Sequence, residues 1–464
     1  MRRLARLISE VSLSSTQLSP ALAAERILTR AVESPLVRGG LTIGAGILTG
    51  NLIGFVRVAV TAYLLGTHSL ADSLAVALGP IDTLNSVLIN SMVFGFVPML
   101  TAREGADRKA LFLKLSRNFL WIFSAVTLTV VACAPWLMRL LAPGLDPAYI
   151  PKAVALLQIL SLSTMAAGIT SVYWSLLYTE RRFGPTAFYQ ASLNVFTIVT
   201  ALGCWRVLGV YGFAIGYTLG AWSQCGVVWL ATRRSLRGPH PPECRVRWRD
   251  LLAKPSFFLV YATGLALNIT FTRAYATHAG PGMAAALEYC MRGVGVPLAI
   301  LVNPMANSLL PEIARLRSLR LIREAFRLID KTIALAALLA VGGCSFALLF
   351  REPAISAFFQ RGSFTADSTR LVSAVFLGLG PALIGWSLTE ITARSLFALD
   401  RPWIPVAAAG IPVLVNVMLT LWLHDARPQF IGVGASVGLL AGFAVLFASA
   451  HGRRGRWVEE AQRA

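Results

Sequence analysis

Charge is sparse in this sequence, and negative charge is the scarcest: charged residues are 14% of the 464, with 22 Asp and Glu against 42 Lys and Arg. Hydrophobic residues reach 56% and mean hydropathy is +0.65, so a soluble fold is excluded and a chain that crosses a membrane repeatedly is implied. Thiols are few. Cys133, Cys204, Cys225, Cys244, Cys290 and Cys344 form no CxxC pair, which excludes a disulfide frame and leaves them as small, reduced core residues. The five histidines make no HExxH or paired-ligand pattern, so no metal centre is signalled, and no GxxxxGK[ST] sequence is present to hold a nucleotide. A net charge of +20 would suit nucleic acid in a soluble chain. Here the basic residues fall in short loops between apolar stretches, where they encode orientation instead.

Twelve apolar spans are legible, at 39–65, 70–100, 118–138, 153–178, 186–205, 208–231, 255–278, 284–308, 332–350, 371–393, 403–424 and 429–449. Placing both termini and alternate loops on one side collects 32 of the 42 Lys and Arg there, against 7 on the other side and 3 within spans. Both termini are therefore expected in the cytoplasm of a multi-pass bacterial inner-membrane protein. Residues 1–38 contain six arginines but no long apolar run, so they read as a cytoplasmic segment and not a signal peptide. The basic, proline-bearing connection 232–254 divides the spans into lobes at 39–231 and 255–449, with a cytoplasmic tail at 450–464. At a spacing of 213, Asn90 pairs with Asn303 and Pro98 with Pro311. Six spans return the chain to its starting side, so the repeat is parallel, as in transporters whose two lobes rock around a central cavity. The expected architecture is thus all-α, with about 12 transmembrane helices in two pseudo-symmetric six-helix lobes.

The polar residues inside these spans mark the candidate site. Gly46, Gly50, Gly54 and Arg57 fall in one helical stripe, and Asp72, Gly79, Asp82, Ser86 and Asn90 share a face of the next helix. Such a seam faces protein or water, and an arginine at the bilayer centre costs about 3 kcal/mol on insertion scales, so Arg57 needs an anionic partner or a wet cavity. In the second half Arg292 lies as far from its span's outer end as Arg57 does from its own, roughly 12 Å deep at 1.5 Å per residue. Two guanidinium groups at matched depth suit a diphosphate. Glu288, four residues before Arg292, is placed to pair with it along the helix. Arg273, near a span end, reads as a snorkelling interface residue. Gln190, Asn194, Gln224, Asn268, Asn307 and Asn416 suit interhelical hydrogen bonds, and Glu390 is a candidate proton or cation site.

GNLIGFVRVAVTAYLLG, LADSLAVA and FVPML, followed in order by LLAPGLDP, RRFGPTAFYQASLN, EYCMRGVGVPLAI, SLLPEIARL and AFFQRGSFTADS, resemble MurJ-type (MviN) lipid II flippases of the MOP exporter superfamily. The resemblance implies translocation of an undecaprenyl-diphosphate-linked saccharide through a central cavity lined by essential arginines, with Arg57, Asp72 and Arg292 matching the family pattern. Asn51, Leu84 or Asn85, and Gly295 depart from it, standing where two arginines and a glutamate are expected, and the last two of the usual fourteen spans have no counterpart. The departures favour a paralogous flippase for an exopolysaccharide or other surface-glycan unit, with lipid II the close runner-up. The expected substrate-binding set is Arg57, Arg292, Asp72, Asn51, Asn85 and Glu288; Gly50, Gly54, Asp82, Ser86 and Asn90 are expected to line the cavity. The partners are that substrate and membrane lipids, and the expected state is a monomer. Without a cofactor or nucleotide, the drive is left to Na+ or H+ coupling or to the membrane potential. A cation-coupled antiporter of the same superfamily would use Asp72, Asp82 or Glu390. A membrane glycan polymerase or ligase would carry a large outward loop, and the longest here, 351–370, is short.

Overall fold

The computed structural model describes residues 35–236, 248–423 and 427–463. The N-terminal segment up to residue 34 and most of the linker between the halves, with Cys244, lie outside these. The first half consists of α1 (Pro35–Leu65), α2 (Ser69–Thr101), α3 (Gly105–Leu141), α4 (Ile150–Thr179), α5 (Tyr189–Gly203) and α6 (Tyr211–Thr232). The second comprises α7 (Trp248–Ala276), α8 (Met283–Pro297), α9 (Asn303–Ser318), α10 (Ile322–Leu349), α11 (Arg351–Phe359), α12 (Ala366–Leu379), α13 (Ala382–Ala398), α14 (Trp403–Ala408), α15 (Ile411–Leu423), α16 (Val433–His451) and α17 (Arg454–Arg463). A wide π-helical turn, Leu298–Val302, joins α8 to α9. Among the described residues, nine helices are long and apolar enough to cross a membrane, and α12 with α13, bent by 42° at their junction, makes a tenth. The two remaining expected spans are α5 and α6. With 15 residues, α5 reaches about 22 Å against a hydrocarbon core of about 30 Å, while α6 carries Ser223 and Gln224, whose amide donates to the Pro185 carbonyl at 2.7 Å.

Close backbone approach holds the first lobe together. The Gly46, Gly50, Gly54 stripe of α1 packs onto the start of α5: a methyl group at Gly50 would lie 2.7 Å from Gln190 Cβ, and one at Gly54 would lie 3.0 Å from Asn194 Nδ2. Asn194 also donates to the Gly50 carbonyl at 3.0 Å. The stripe is therefore a packing surface in the manner of small-residue membrane interfaces, and the cavity wall expected there lies elsewhere. Gly50→Leu is expected to lower the thermal unfolding midpoint in detergent by several degrees, since overpacking costs about 1–3 kcal/mol. Gly342→Leu, whose site faces open space, should leave the midpoint unchanged. In the second lobe Asn416 donates to Asn268 Oδ1 at 2.7 Å and Thr272 Oγ1 at 2.8 Å, the interhelical bonding expected of these amides. Cys225, Cys290 and Cys344 are buried, whereas Cys133 and Cys204 are exposed, so only part of the expected thiol set belongs to the core.

The lobes are clasped at one end. The α1–α2 turn, with Gly66 at φ +57°, inserts between α8 and the 360–365 turn of the other lobe: the Tyr289 hydroxyl donates to the Gly66 carbonyl at 2.7 Å, and the Ser363 amide donates to the Tyr63 carbonyl at 2.8 Å. A hydroxyl pair, Thr67 with Ser368 at 2.8 Å, joins the same contact. Alongside, the Gly144 amide donates to Thr277 Oγ1 at 3.0 Å.

Candidate functional site

Beyond this clasp the lobes part around a cavity of about 610 Å³, walled by α2 on one side and by α7, α8 and α13 on the other. Side chains three and four residues apart share a helix face, so α2 presents Gly79, Asp82, Ser86 and Asn90 to it, as the sequence implies. The repeat-related Asn90 and Asn303 both line it. In α2, Pro80 removes the amide that would bond to the Val76 carbonyl. Beside it, the absence of a side chain at Gly79 admits a cation: a methyl group there would lie 2.6 Å from Arg273 Nε.

Three ion pairs line the cavity. Arg273 Nη2 donates to Glu288 Oε2 at 2.9 Å, Arg394 Nε donates to Glu390 Oε1 at 2.6 Å, and Arg292 Nη2 meets Asp82 Oδ2 at 3.6 Å across the lobe boundary. The Tyr217 hydroxyl holds the other Asp82 oxygen at 2.8 Å. Glu288 therefore pairs with Arg273, not with Arg292 along its own helix. Arg273 is 4% exposed, hence a buried member of the site and not an interface residue; the side chain of α7 turns inward because Glu288 and the hole at Gly79 accept it.

Arg57 stands apart. It is 3% exposed, and its Nε and Nη1 have no hydrogen-bond partner; the same two atoms of Arg273 also lack one, but among the described residues Arg57, unlike Arg273, forms no ion pair. It does not line the main cavity but a small adjoining void of about 30 Å³, and Glu288 lines both. Counting Arg57, Arg273, Arg292 and Arg394 against Asp82, Glu288 and Glu390, the site holds one cation in excess, and the penalty for burying an ion is several kcal/mol.

Three expected substrate ligands lie elsewhere. Asp72 belongs to the clasp: Oδ2 accepts from the Gly282 amide at 2.6 Å and Oδ1 from the Ala285 amide at 2.8 Å, so it caps the start of α8 from the opposite lobe. Asn85 is buried between α2 and α4, donating to Ser163 Oγ at 2.9 Å. The Asn51 amide turns back to the Ile47 carbonyl at 2.8 Å. Arg394 escaped the sequence reading because it falls one residue beyond its span. Its place four residues after Glu390 was the available signal. Among the described residues no cluster of His, Cys, Asp and Glu is placed to hold a metal.

The family model described as lipid II flippase MurJ matches residues 61–459. A probable lipid II flippase MurJ of Rhizobium meliloti (strain 1021) is 26% identical over 445 residues, covering 91% of this chain and 82% of the relative. A solved structure of lipid II flippase MurJ in an inward closed conformation superposes with a TM-score of 0.77 at 16% identity, over 91% of each chain. An inward-facing multidrug resistance MATE family transporter of the MOP superfamily also gives 0.77, at 14% identity over 90% of this chain and 99% of that one. The fold is shared equally with both structures.

Proposed function

The chain belongs to the lipid II flippase MurJ family, and from that membership we propose that it carries lipid II, an undecaprenyl-diphosphate-linked saccharide, from the cytoplasmic to the outer leaflet of the bacterial inner membrane. The observation that carries the reading is the buried Arg57 guanidinium with two unpartnered nitrogens, next to an Asp82–Arg292 pair that bridges the lobes. A diphosphate supplies what both arginines need: it satisfies the Arg57 donors and replaces Asp82 at Arg292 with charge-assisted bonds. Glu288, shared by the cavity and the Arg57 void, is the side chain that must move for the two to merge.

The headgroup enters from the cytoplasmic leaflet between the lobes, while the lipid tail stays in the bilayer. Binding across the lobe boundary draws the arginines together, and the clasp at the α1–α2 turn, on the outer side, opens as the lobes rock. The membrane potential favours outward passage of an anion by about 2.3 kcal/mol per charge per 100 mV, so no nucleotide is required. The chain works as a monomer with both termini in the cytoplasm.

The case for a surface glycan rests on the departures at Asn51, at Leu84 or Asn85, and at Gly295. Two of these lie away from the cavity lining, and Arg273 and Arg394 add cations to the lining, which supports lipid II over the surface glycan, as do the named relatives. A cation-coupled antiporter has the right fold, but among the described residues each cavity carboxylate is paired with an arginine.

Complementation tests the assignment. Expression in a bacterium depleted of its own lipid II flippase is expected to restore growth and to return lipid II to the outer leaflet. Failure there, with rescue of a strain lacking a surface-glycan flippase, would move the substrate to the glycan.

A further inference from the structure

The cavity differs along its length. Arg273 and Arg292 lie toward the clasp, whereas the other end is aromatic. On α13, Trp386, Glu390, Arg394 and Phe397 succeed one another at steps of four, four and three residues and so share one face. All four line the cavity, as do Phe258 and Tyr261 of α7. The rings of Phe397 and Tyr261 have centroids 5.7 Å apart, and those of Phe397 and Phe258 are 5.8 Å apart. Tyr261 is 3% exposed, and its hydroxyl has no hydrogen-bond partner. The facing wall on α2, from Ser86 through Val87 and Asn90 to Val93, offers no ring.

We infer that this end of the cavity is a saccharide subsite carried by the C-terminal lobe, taking the sugar rings of the lipid-linked diphosphate; it rests on the substrate reading above. A pyranose ring has an apolar C–H face and a rim of hydroxyls. Aromatic side chains with a few polar groups fixed among them match both properties. Trp386 and the Phe397–Tyr261 pair supply the apolar surface. The Glu390–Arg394 pair supplies an acceptor and donors in fixed geometry for ring hydroxyls. A buried hydroxyl without a partner is unfavourable, and a sugar hydroxyl gives Tyr261 the one it lacks. Along α2 the eleven helical steps from Asp82 to Val93 span about 16 Å, which leaves room for the headgroup beyond phosphates held at Arg292. The subsite belongs to one lobe while the phosphate position spans two, so the saccharide moves with the C-terminal lobe through the cycle.

The test compares two probes on the full chain in lipid nanodiscs: farnesyl diphosphate, and the same lipid diphosphate carrying a disaccharide, each titrated by calorimetry. Wild type is expected to bind the sugar-bearing probe at least tenfold more tightly. Trp386→Ala and the isosteric Tyr261→Phe are each expected to lose most of that margin, with farnesyl diphosphate held at its wild-type affinity. Equal binding of both probes by wild type, persistence of the margin in both variants, or parallel weakening of the two probes overturns the subsite and leaves the diphosphate reading standing. Wild type that binds neither probe removes that reading and the subsite together.

Discussion

Arg57→Ala is expected to reduce lipid flipping by a hundredfold or more in a protein that still inserts and is, if anything, harder to unfold. The guanidinium has no hydrogen-bond partner at Nε or Nη1, so its removal breaks no such bond at those atoms and relieves an uncompensated buried charge. What disappears is contact with the anion. Hydrogen bonds to charged groups contribute about 1.5–3 kcal/mol each, and about 1.4 kcal/mol is a factor of ten, so two lost bonds account for the effect. Arg292→Ala should be as inactive but less stable, because it strands Asp82 with Tyr217 as its remaining hydrogen-bond partner. Asp82→Asn has the opposite sign for binding: Arg292 is released, and the apparent affinity for a lipid diphosphate should rise several-fold while turnover falls. Flipping assays in proteoliposomes, paired with thermal unfolding of each variant, separate these outcomes. Full activity in Arg57→Ala would remove the proposed diphosphate site.

Asp72→Ala is expected to open the clasp. The carboxylate accepts two backbone amides at the start of α8 from across the lobe boundary, bonds that exist only while the lobes are closed at that end. Losing about 3 kcal/mol there shifts the balance between closed and open forms by roughly a hundredfold. A cysteine placed at Thr67, which now bonds to Ser368, should react with a membrane-impermeant maleimide at least tenfold faster in the Asp72→Ala background. Transport should fall as the cycle stalls open. Asp72→Asn, which keeps one carbonyl acceptor, should lie between. An unchanged labelling rate would show that the carboxylate does not hold the lobes shut.

The sequence made the spans legible because hydropathy is a property of each segment alone. Which face meets which neighbour is not. The stripe from Gly46 to Arg57 was visible as a stripe, yet only the position of α5 decides that its glycines meet Gln190 and Asn194. Arg292 and Glu288 had the spacing of a helical pair, but a tertiary partner reaches each of them, Asp82 from α2 and Arg273 from α7. Arg273 was misread because depth along a span says nothing about direction around it. The hole that receives it, at Gly79, lies nearly two hundred residues away in the chain. Asp82, Ser86 and Asn90 of α2 share the face that lines the cavity, because a four-residue spacing within one helix fixes a common face without reference to any neighbour.

The contacts that close the α1–α2 turn against the second half have a bearing on how the gene can change. Most of them end on main-chain atoms: the carbonyls of Tyr63 and Gly66, and the amides of Gly282, Ala285 and Ser363. At Tyr63, Ala285 and Ser363 a point substitution leaves the peptide group in place, so drift in residue type is tolerated wherever the new side chain fits; Gly66 and Gly282, both at positive φ and facing backbone from the other half, have room for no side chain. Inserting or deleting a codon in that short connection shifts every peptide group at once, so length, together with those two glycines, is what selection must hold fixed there.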